Sequence, residues 1–213
     1  VIIGSSIARN DNGDYLVDFD GNYVVDPDPS IIGDPNADWR STLINEFSFK
    51  GFTLGAQLEY THGGDIYSIT AASLLARGLT TDTDFDRTQS FVLPGVSAET
   101  GAPNDVQIAA TDLYFNNKGF GADEVSVYDA TNIRLREVSL GYKFPKRLLE
   151  NTPLGNLTIR IIGQNLWYKA VNFPDGLNFD PEVSSLGVGN GQGFDYLTGP
   201  TAKRYGFSIN MTF

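Results

Sequence analysis

The chain has 213 residues, 19% of them charged, and a formal net charge of −11, which speaks against nucleic acid as a partner. It has no cysteine, so a disulfide scaffold and a Cys-ligated metal site are both excluded. No run of about 18 apolar residues is present, so no transmembrane helix is expected, while a membrane barrel, apolar only at every second strand position, stays open.

The first residues, Val1-Ile2-Ile3-Gly4, carry neither an initiator Met nor a signal peptide, and a mature or fragmentary chain is expected. Residues 1 to about 40 are turn-rich. Asp11-Asn12-Gly13-Asp14 and Asp20-Gly21-Asn22 are turn signals, with short β-prone pieces at Tyr15-Leu16-Val17 and Tyr23-Val24-Val25. Asp18, Asp20, Asp26 and Asp28 invite calcium, but the EF-hand spacing with its closing Glu is not met, and solvated turns are the better reading.

Residues 42 to 61 form the cleanest hairpin. Leu43, Phe47 and Phe49 share a face, as do Phe52, Leu54, Ala56, Leu58 and Tyr60. Phe49 and Phe52 flank a two-residue turn, Lys50-Gly51, so they should oppose each other and the two apolar faces should coincide. Residues 62 to 130 read as long, irregular and acidic, with one short helix at Ile69 to Arg77 stopped by Gly78. A connection this long is uncommon and usually functional.

Residues 132 to 168 form the next hairpin. Val138, Leu140, Tyr142 and Phe144 alternate with Ser139, Gly141 and Lys143, but Ile133 and Leu135 have the opposite parity. A bulge near Arg136-Glu137 would explain that, as would a strand that simply leaves the apolar zone there. Pro145 suits the first position of a helical turn, Lys146 to Glu150. The return strand places Leu157, Ile159, Ile161 and Trp167 on one face and Thr158, Arg160 and Gln164 on the other. Residues 169 to 203 form a second long loop with a run Gly187-Val188-Gly189-Asn190-Gly191-Gln192-Gly193. Those glycines do not follow a strand and open a helix, so a phosphate cradle is a poor fit. In the closing strand Tyr205, Phe207, Ile209, Met211 and Phe213 alternate with Gly206, Ser208, Asn210 and Thr212.

No catalytic constellation emerges, so no catalytic, cofactor or metal residue is named and the chain is not expected to be an enzyme. His62 is the only histidine and reads as a loop-base residue, and no pair of carboxylates is singled out for glycoside hydrolysis. Trp167, Tyr168, Tyr60 and Tyr205 lie near strand ends on the outer side, as an interfacial girdle would. Among loop aromatics, Phe115, Phe120, Phe173 and Tyr196 would serve equally for stacking on sugar rings, for packing against a lid, or for anchoring loops.

Several motifs in order then resemble one family. I-R-L-R-E-V-S-L-G-Y-K-F-P-K-R-L-L, I-I-G-Q-N-L-W, D-P-E-V and the final Y-G-F-S-I-N-M-T-F resemble the C-terminal end of SusC/RagA-type TonB-dependent outer-membrane transporters. I-G-D-P-N-A-D-W, F-S-F-K-G-F, H-G-G-D-I-Y and Leu93-Pro94-Gly95-Val96 upstream are similar to that family as well. The resemblance runs from about Ile32 to the end.

The resemblance implies an all-β chain, residues 1–213 being the C-terminal portion of a transmembrane antiparallel β-barrel. The family barrel has 22 strands, long extracellular loops and short periplasmic turns. Strands are expected at about 42–49, 52–61, 132–144, 156–168 and 204–213. The plug domain and the N-terminal TonB-contacting segment are absent from this sequence. Five strands cannot close around a channel, so a C-terminal fragment is expected, or else the rest is unresolved or a separate chain.

The implied function is TonB-dependent import of an oligosaccharide or peptide across the bacterial outer membrane, with no cofactor. The implied partners are a SusD-like surface lipoprotein lid, TonB and outer-membrane lipid, with room for a dimer of transporter–lid pairs. Tyr205, Phe207, Ile209, Met211 and Phe213 would then be the barrel-assembly signal. A soluble β-sandwich carbohydrate-binding module is the alternative, and would need the face of Phe207, Ile209 and Met211 packed on a second sheet. A structural barrel or adhesin is a third reading.

Overall fold

The computed structural model describes residues 1–173, 176–177, 179–187, 189 and 191–213. Five long strands dominate it: β1 (Trp39–Phe49), β2 (Phe52–His62), β3 (Asn132–Lys143), β4 (Asn156–Ala170) and β5 (Arg204–Thr212). They form one sheet in the order β5-β4-β3-β2-β1, every neighbour antiparallel. β1 begins three residues before the expected 42, because Trp39, Arg40 and Ser41 continue the ladder opposite His62, Thr61 and Tyr60.

Side-chain alternation carries across the whole sheet. One row runs Phe47, Leu54, Leu140, Ile161, Phe207, and the next runs Phe49, Phe52, Tyr142, Ile159, Ile209. The first of these rows is open to its surroundings, at 67%, 44%, 48%, 62% and 76% exposure. No second sheet covers it among the described residues, which removes the packing that a β-sandwich requires. The opposite face is small and polar, with rows Ser48, Thr53, Gly141, Arg160, Ser208 and Glu46, Gly55, Ser139, Ile162, Gly206.

Two local features set this register. Lys50 and Gly51 have φ of 47° and 88°, both positive as a type I′ turn demands, and that turn matches the twist of the flanking strands. The β3 ladder slips between Leu135 and Glu137, leaving Arg136 as a bulge. The slip restores parity, so Leu135 and Val138 share the apolar face. Pro145 is extended (φ −67°, ψ 143°) and precedes the 3-10 turn Lys146–Leu148, rather than opening it from inside.

The connection from 63 to 131 corrects the expectation of an irregular loop. Asp65–Ser68 pairs antiparallel with Val127–Asp129 and parallel with Phe194–Asp195. Helix α1 (Ile69–Ala76) starts where the Ser68 hydroxyl accepts from the Ala71 amide at 3.0 Å, and Gly78 follows its end at φ 68°. A π-helical segment, Asp112–Gly119, lies against α1. A Cβ on Gly119 would stand 2.8 Å from the Ala76 Cβ.

Ile66, Ala71, Leu75, Leu93, Ile108, Leu113, Tyr114, Ala170, Phe173 and Leu177 make a buried core here. The hydrophobic core thus sits in the connections at one end of the sheet, not under it. The first segment is held to this body by acids: Ser5 donates from its amide and hydroxyl to Asp123 Oδ2, both at 2.9 Å, and the Ile7 amide donates to Glu124 at 2.7 Å. No described helix is long and apolar enough to cross a membrane, which says nothing of strands.

Candidate functional site

The polar face ends, at the loop-rich end of the sheet, in a cluster of charges from three sequence regions. Register places Glu59 of β2 beside Arg134 of β3, and the bulge frees Arg136 from the ladder on the same side. Two acids reach down from the connection between β4 and β5. Arg134 donates to Asp180 through both Nη groups, one bond at 3.4 Å, and its Nε stands 3.2 Å from Glu182 Oε2. Arg136 donates to Glu59 at 2.7 and 3.2 Å and pairs with Glu182.

Arg134 and Asp180 are 1% and 0% exposed, a burial that charges tolerate only when paired. The Thr201 amide adds a bond to Asp180 Oδ2 at 3.0 Å, and the guanidinium of Arg134 lies 5.0 Å over the Tyr168 ring. Burial pushes the Asp180 carboxyl up, but the bonds from Arg134 and Thr201 outweigh it and hold it below the usual carboxylate range. The cluster therefore ties Asp180, Glu182 and Thr201 to the sheet wall.

Beside it lies a cleft of ≈ 370 Å³ whose lining includes Arg40, Thr61, Asn132, Arg136, Glu182 and Gln192. Arg40, Thr61 and Asn132 form one cross-strand row on the polar face. Thr61 is 4% exposed, and its hydroxyl has no hydrogen-bond partner among the described residues. The cleft offers donors and acceptors of both charges, a chemistry suited to holding a polar ligand. Among the described residues no group of three or more His, Cys, Asp or Glu is placed to hold a metal ion.

Sequence reasoning missed this cluster. Two arginines at alternate positions of a polar face were the available signal, but their partners Asp180 and Glu182 lie 46 residues away. Asp18, Asp20, Asp26 and Asp28 serve turns: Asp18 Oδ1 accepts from the Asp20 and Asn22 amides, and Asp26 Oδ1 from Asp28.

Tyr205, Phe207, Ile209 and Met211 line the apolar face of β5, and Phe213, 89% exposed, follows it. Trp167 shares that face, opposite Leu135, and Tyr60 packs 5.2 Å from Trp39. Tyr168 does not join them: it lies on the polar face under Arg134, a correction that follows from its parity against Trp167.

His62 ends β2, 5.5 Å from Trp39 and 3.9 Å from Asp38. Phe173 is buried in the core beside Tyr128 and Phe179. Phe115 and Phe120 form an exposed edge-to-face pair at 5.1 Å, and Tyr196 is exposed. Of the glycine-rich run, Val188 and Asn190 lie outside the described residues.

No family model matches the chain. A curated relative, TonB-dependent receptor P3 of Formosa agariphila, is 27% identical over 181 residues, which is 83% of this chain and 16% of that protein. The chain thus spans under a fifth of the length of the relative it matches, and is similar to a TonB-dependent receptor, as its motifs are. Two solved structures are also similar. The RagAB peptide importer in its closed-closed state is 18% identical with a TM-score of 0.47, covering 99% of this chain and 23% of that one. The RagAB peptide transporter is 19% identical with a TM-score of 0.49, covering 99% and 22%.

Proposed function

We propose that residues 1–213 are the C-terminal part of a 22-stranded barrel in the bacterial outer membrane, and that the whole protein imports a nutrient, an oligosaccharide or peptide, with energy from TonB. The observation that carries this reading is the exposed apolar face, continuous across all five strands. Strands of 9 to 15 residues suit a tilted crossing of a hydrocarbon layer, which takes about 9–11. The similarity to a TonB-dependent receptor supports the same reading.

β1 and β5 each have a single neighbour, and lipid does not tolerate their unpaired backbone edges. Further strands would cover both, and a plug would fill the barrel. The Lys50–Gly51 turn would be periplasmic and the ionic cluster extracellular. The cleft beside Arg40 and Arg136 would then face the lumen under a SusD-like lipoprotein lid, where it would hold polar groups of the cargo without breaking a bond in it. A dimer of such transporter–lid pairs fits this arrangement, and Tyr205, Phe207, Ile209, Met211 and Phe213 would guide assembly.

The test is the intact mass and solubility of the protein carrying this chain in its native source. A mass several-fold above 23.2 kDa, recovered from the outer-membrane fraction only with detergent, is expected. A 23.2 kDa polypeptide that stays in solution without detergent would sink the proposal and restore the soluble binding module.

A further inference from the structure

The end of the sheet away from the ionic cluster carries the short connections, Lys50–Gly51 between β1 and β2 and residues 144–155 between β3 and β4. The apolar face finishes there in aromatic rings. Phe49 is paired with Phe52, Phe52 lies 4.5 Å from Tyr142, and Tyr142 meets Phe144 edge-on at 5.0 Å. Just beyond this run stand Lys50, Lys146 and Arg147, all exposed. None of the three makes an ion pair with a described residue. Lys50 Nζ hangs 5.2 Å from the Phe49 ring, and Leu148, beside Arg147, is 62% exposed.

Charge is distributed unevenly along the molecule. The short connections with Lys143 hold four basic residues, Lys50, Lys143, Lys146 and Arg147, against Glu150 alone. The connection from 62 to 131 is instead acidic, with Asp82, Asp84, Asp86, Glu99, Asp105 and Asp112 among its residues. A locally cationic rim on a chain of net charge −11 is what an anionic surface would select. Aromatic rings and unpaired Lys and Arg at the edge of an apolar belt are the groups that meet lipid headgroups, and each basic residue adds attraction to an anionic leaflet. Arginine also matches phosphate geometry bidentately.

We infer that Lys50, Lys146 and Arg147, with the aromatic row behind them, form a binding surface for anionic phospholipid headgroups in the leaflet at the short-turn end. The inference rests on the barrel reading above. The rings set the depth of the sheet in the hydrocarbon, Leu148 inserts beside them, and the three cations hold phosphate oxygens at the boundary.

The test uses the full-length protein carrying this chain, purified in mild detergent and doped with phosphatidylglycerol or phosphatidylcholine, with retained lipid counted by native mass spectrometry. Preferential retention of phosphatidylglycerol is expected, lowered roughly ten-fold by the triple change Lys50→Gln, Lys146→Gln and Arg147→Gln. The change Lys169→Gln with Lys203→Gln, two cations at the other end, should leave it unchanged. Equal retention of the two lipids by the unaltered protein, or equal loss in both variants, overturns the inference. Should the triple variant not assemble, Lys146→Gln with Arg147→Gln, on an exposed turn outside the strand ladder, gives the same comparison. A protein that stays monodisperse without detergent overturns the barrel reading instead.

Discussion

Arg134 and Asp180 stand 46 residues apart in the chain, yet each is at most 1% exposed and they share two hydrogen bonds. Removing one partner of a buried pair costs about 3–5 kcal/mol when the other charge is left alone. Without Asp180, Arg134 keeps Glu182, 3.2 Å from its Nε, so the loss should lie below that range. Asp180→Asn should therefore lower the thermal midpoint and speed tryptic cleavage at Lys203 and Arg204, beyond the tethered Thr201. Adding Arg134→Met should recover part of the loss, because the buried guanidinium that lost Asp180 is then gone and Glu182 keeps Arg136. Equal losses in the single and double variants would show that the pair is not coupled.

The same carboxyl gives stability a pH dependence. Asp180 is buried and Asp123 half-buried, which alone would raise them, but their hydrogen bonds hold both below the ordinary range. A carboxyl depressed in the folded state stabilises it fully above its unfolded value of about 3.9 and loses that contribution as pH falls through the folded value. Thermal midpoints should thus be level above about pH 5 and fall below about pH 4. Asp180→Asn should flatten that fall. A midpoint that rises on acidification would contradict the sign.

Leu140 stands in the middle of the apolar row, with Leu54 and Ile161 as its partners. Facing lipid, Leu140→Arg should cost about 2–4 kcal/mol. An ordinary water-exposed position would register about 0.5 kcal/mol or less. Unfolding of the reconstituted protein in urea separates the two values.

On the proposed barrel reading, Phe213→Ser, at the far end of the same face, should lower the amount of assembled barrel in the outer membrane. The readout is the fraction of protein that migrates as the folded, heat-modifiable band. Normal assembly of the variant would count against a signal role for Tyr205, Phe207, Ile209, Met211 and Phe213.

Gly51→Ala tests the turn that sets the β1–β2 register. Gly51 sits at φ 88°, and a Cβ there would come 2.8 Å from the Lys143 carbonyl oxygen. Left-handed backbone alone costs a β-carbon about 1–2 kcal/mol, so the folded protein should lose at least that much, measured as a drop in urea midpoint. An unchanged midpoint would mean that the turn relaxes freely.

The sheet was legible in the sequence because each strand repeats every second residue. The Phe49–Phe52 opposition follows from two facts, a two-residue turn and a period of two. The mismatch of Leu135 with Val138 pointed to a bulge near Arg136-Glu137 or to a strand leaving the apolar zone, and the register slip between Leu135 and Glu137 decides for the bulge. Of the body built from 63 to 131 only the helix that starts at Ile69 was legible; Leu113, Tyr114 and the paired strands come from short elements that show no sustained period. The ionic cluster was hidden for a related reason: Asp180 and Glu182 find their arginines only after the connection folds back. Tyr168 was misplaced because its position at a strand end was read while its parity against Trp167 was not.

The small ladder between Asp65–Ser68 and Val127–Asp129 changes how β2 can find β3. Taken as an open coil, the roughly 70 residues between the two strands would raise the entropic cost of closure by on the order of 2–3 kcal/mol over a tight hairpin. With the ladder and its helical neighbours formed first, the ends of β2 and β3 are already delivered side by side. The closure cost is then met in forming the ladder, which joins nearly the same connection, and the β2–β3 pairing that follows is a local contact. An insertion inside this body should slow sheet formation only slightly, since a doubled loop adds about 0.6 kcal/mol to closure, whereas unzipping Ile66 from Tyr128 should slow it more.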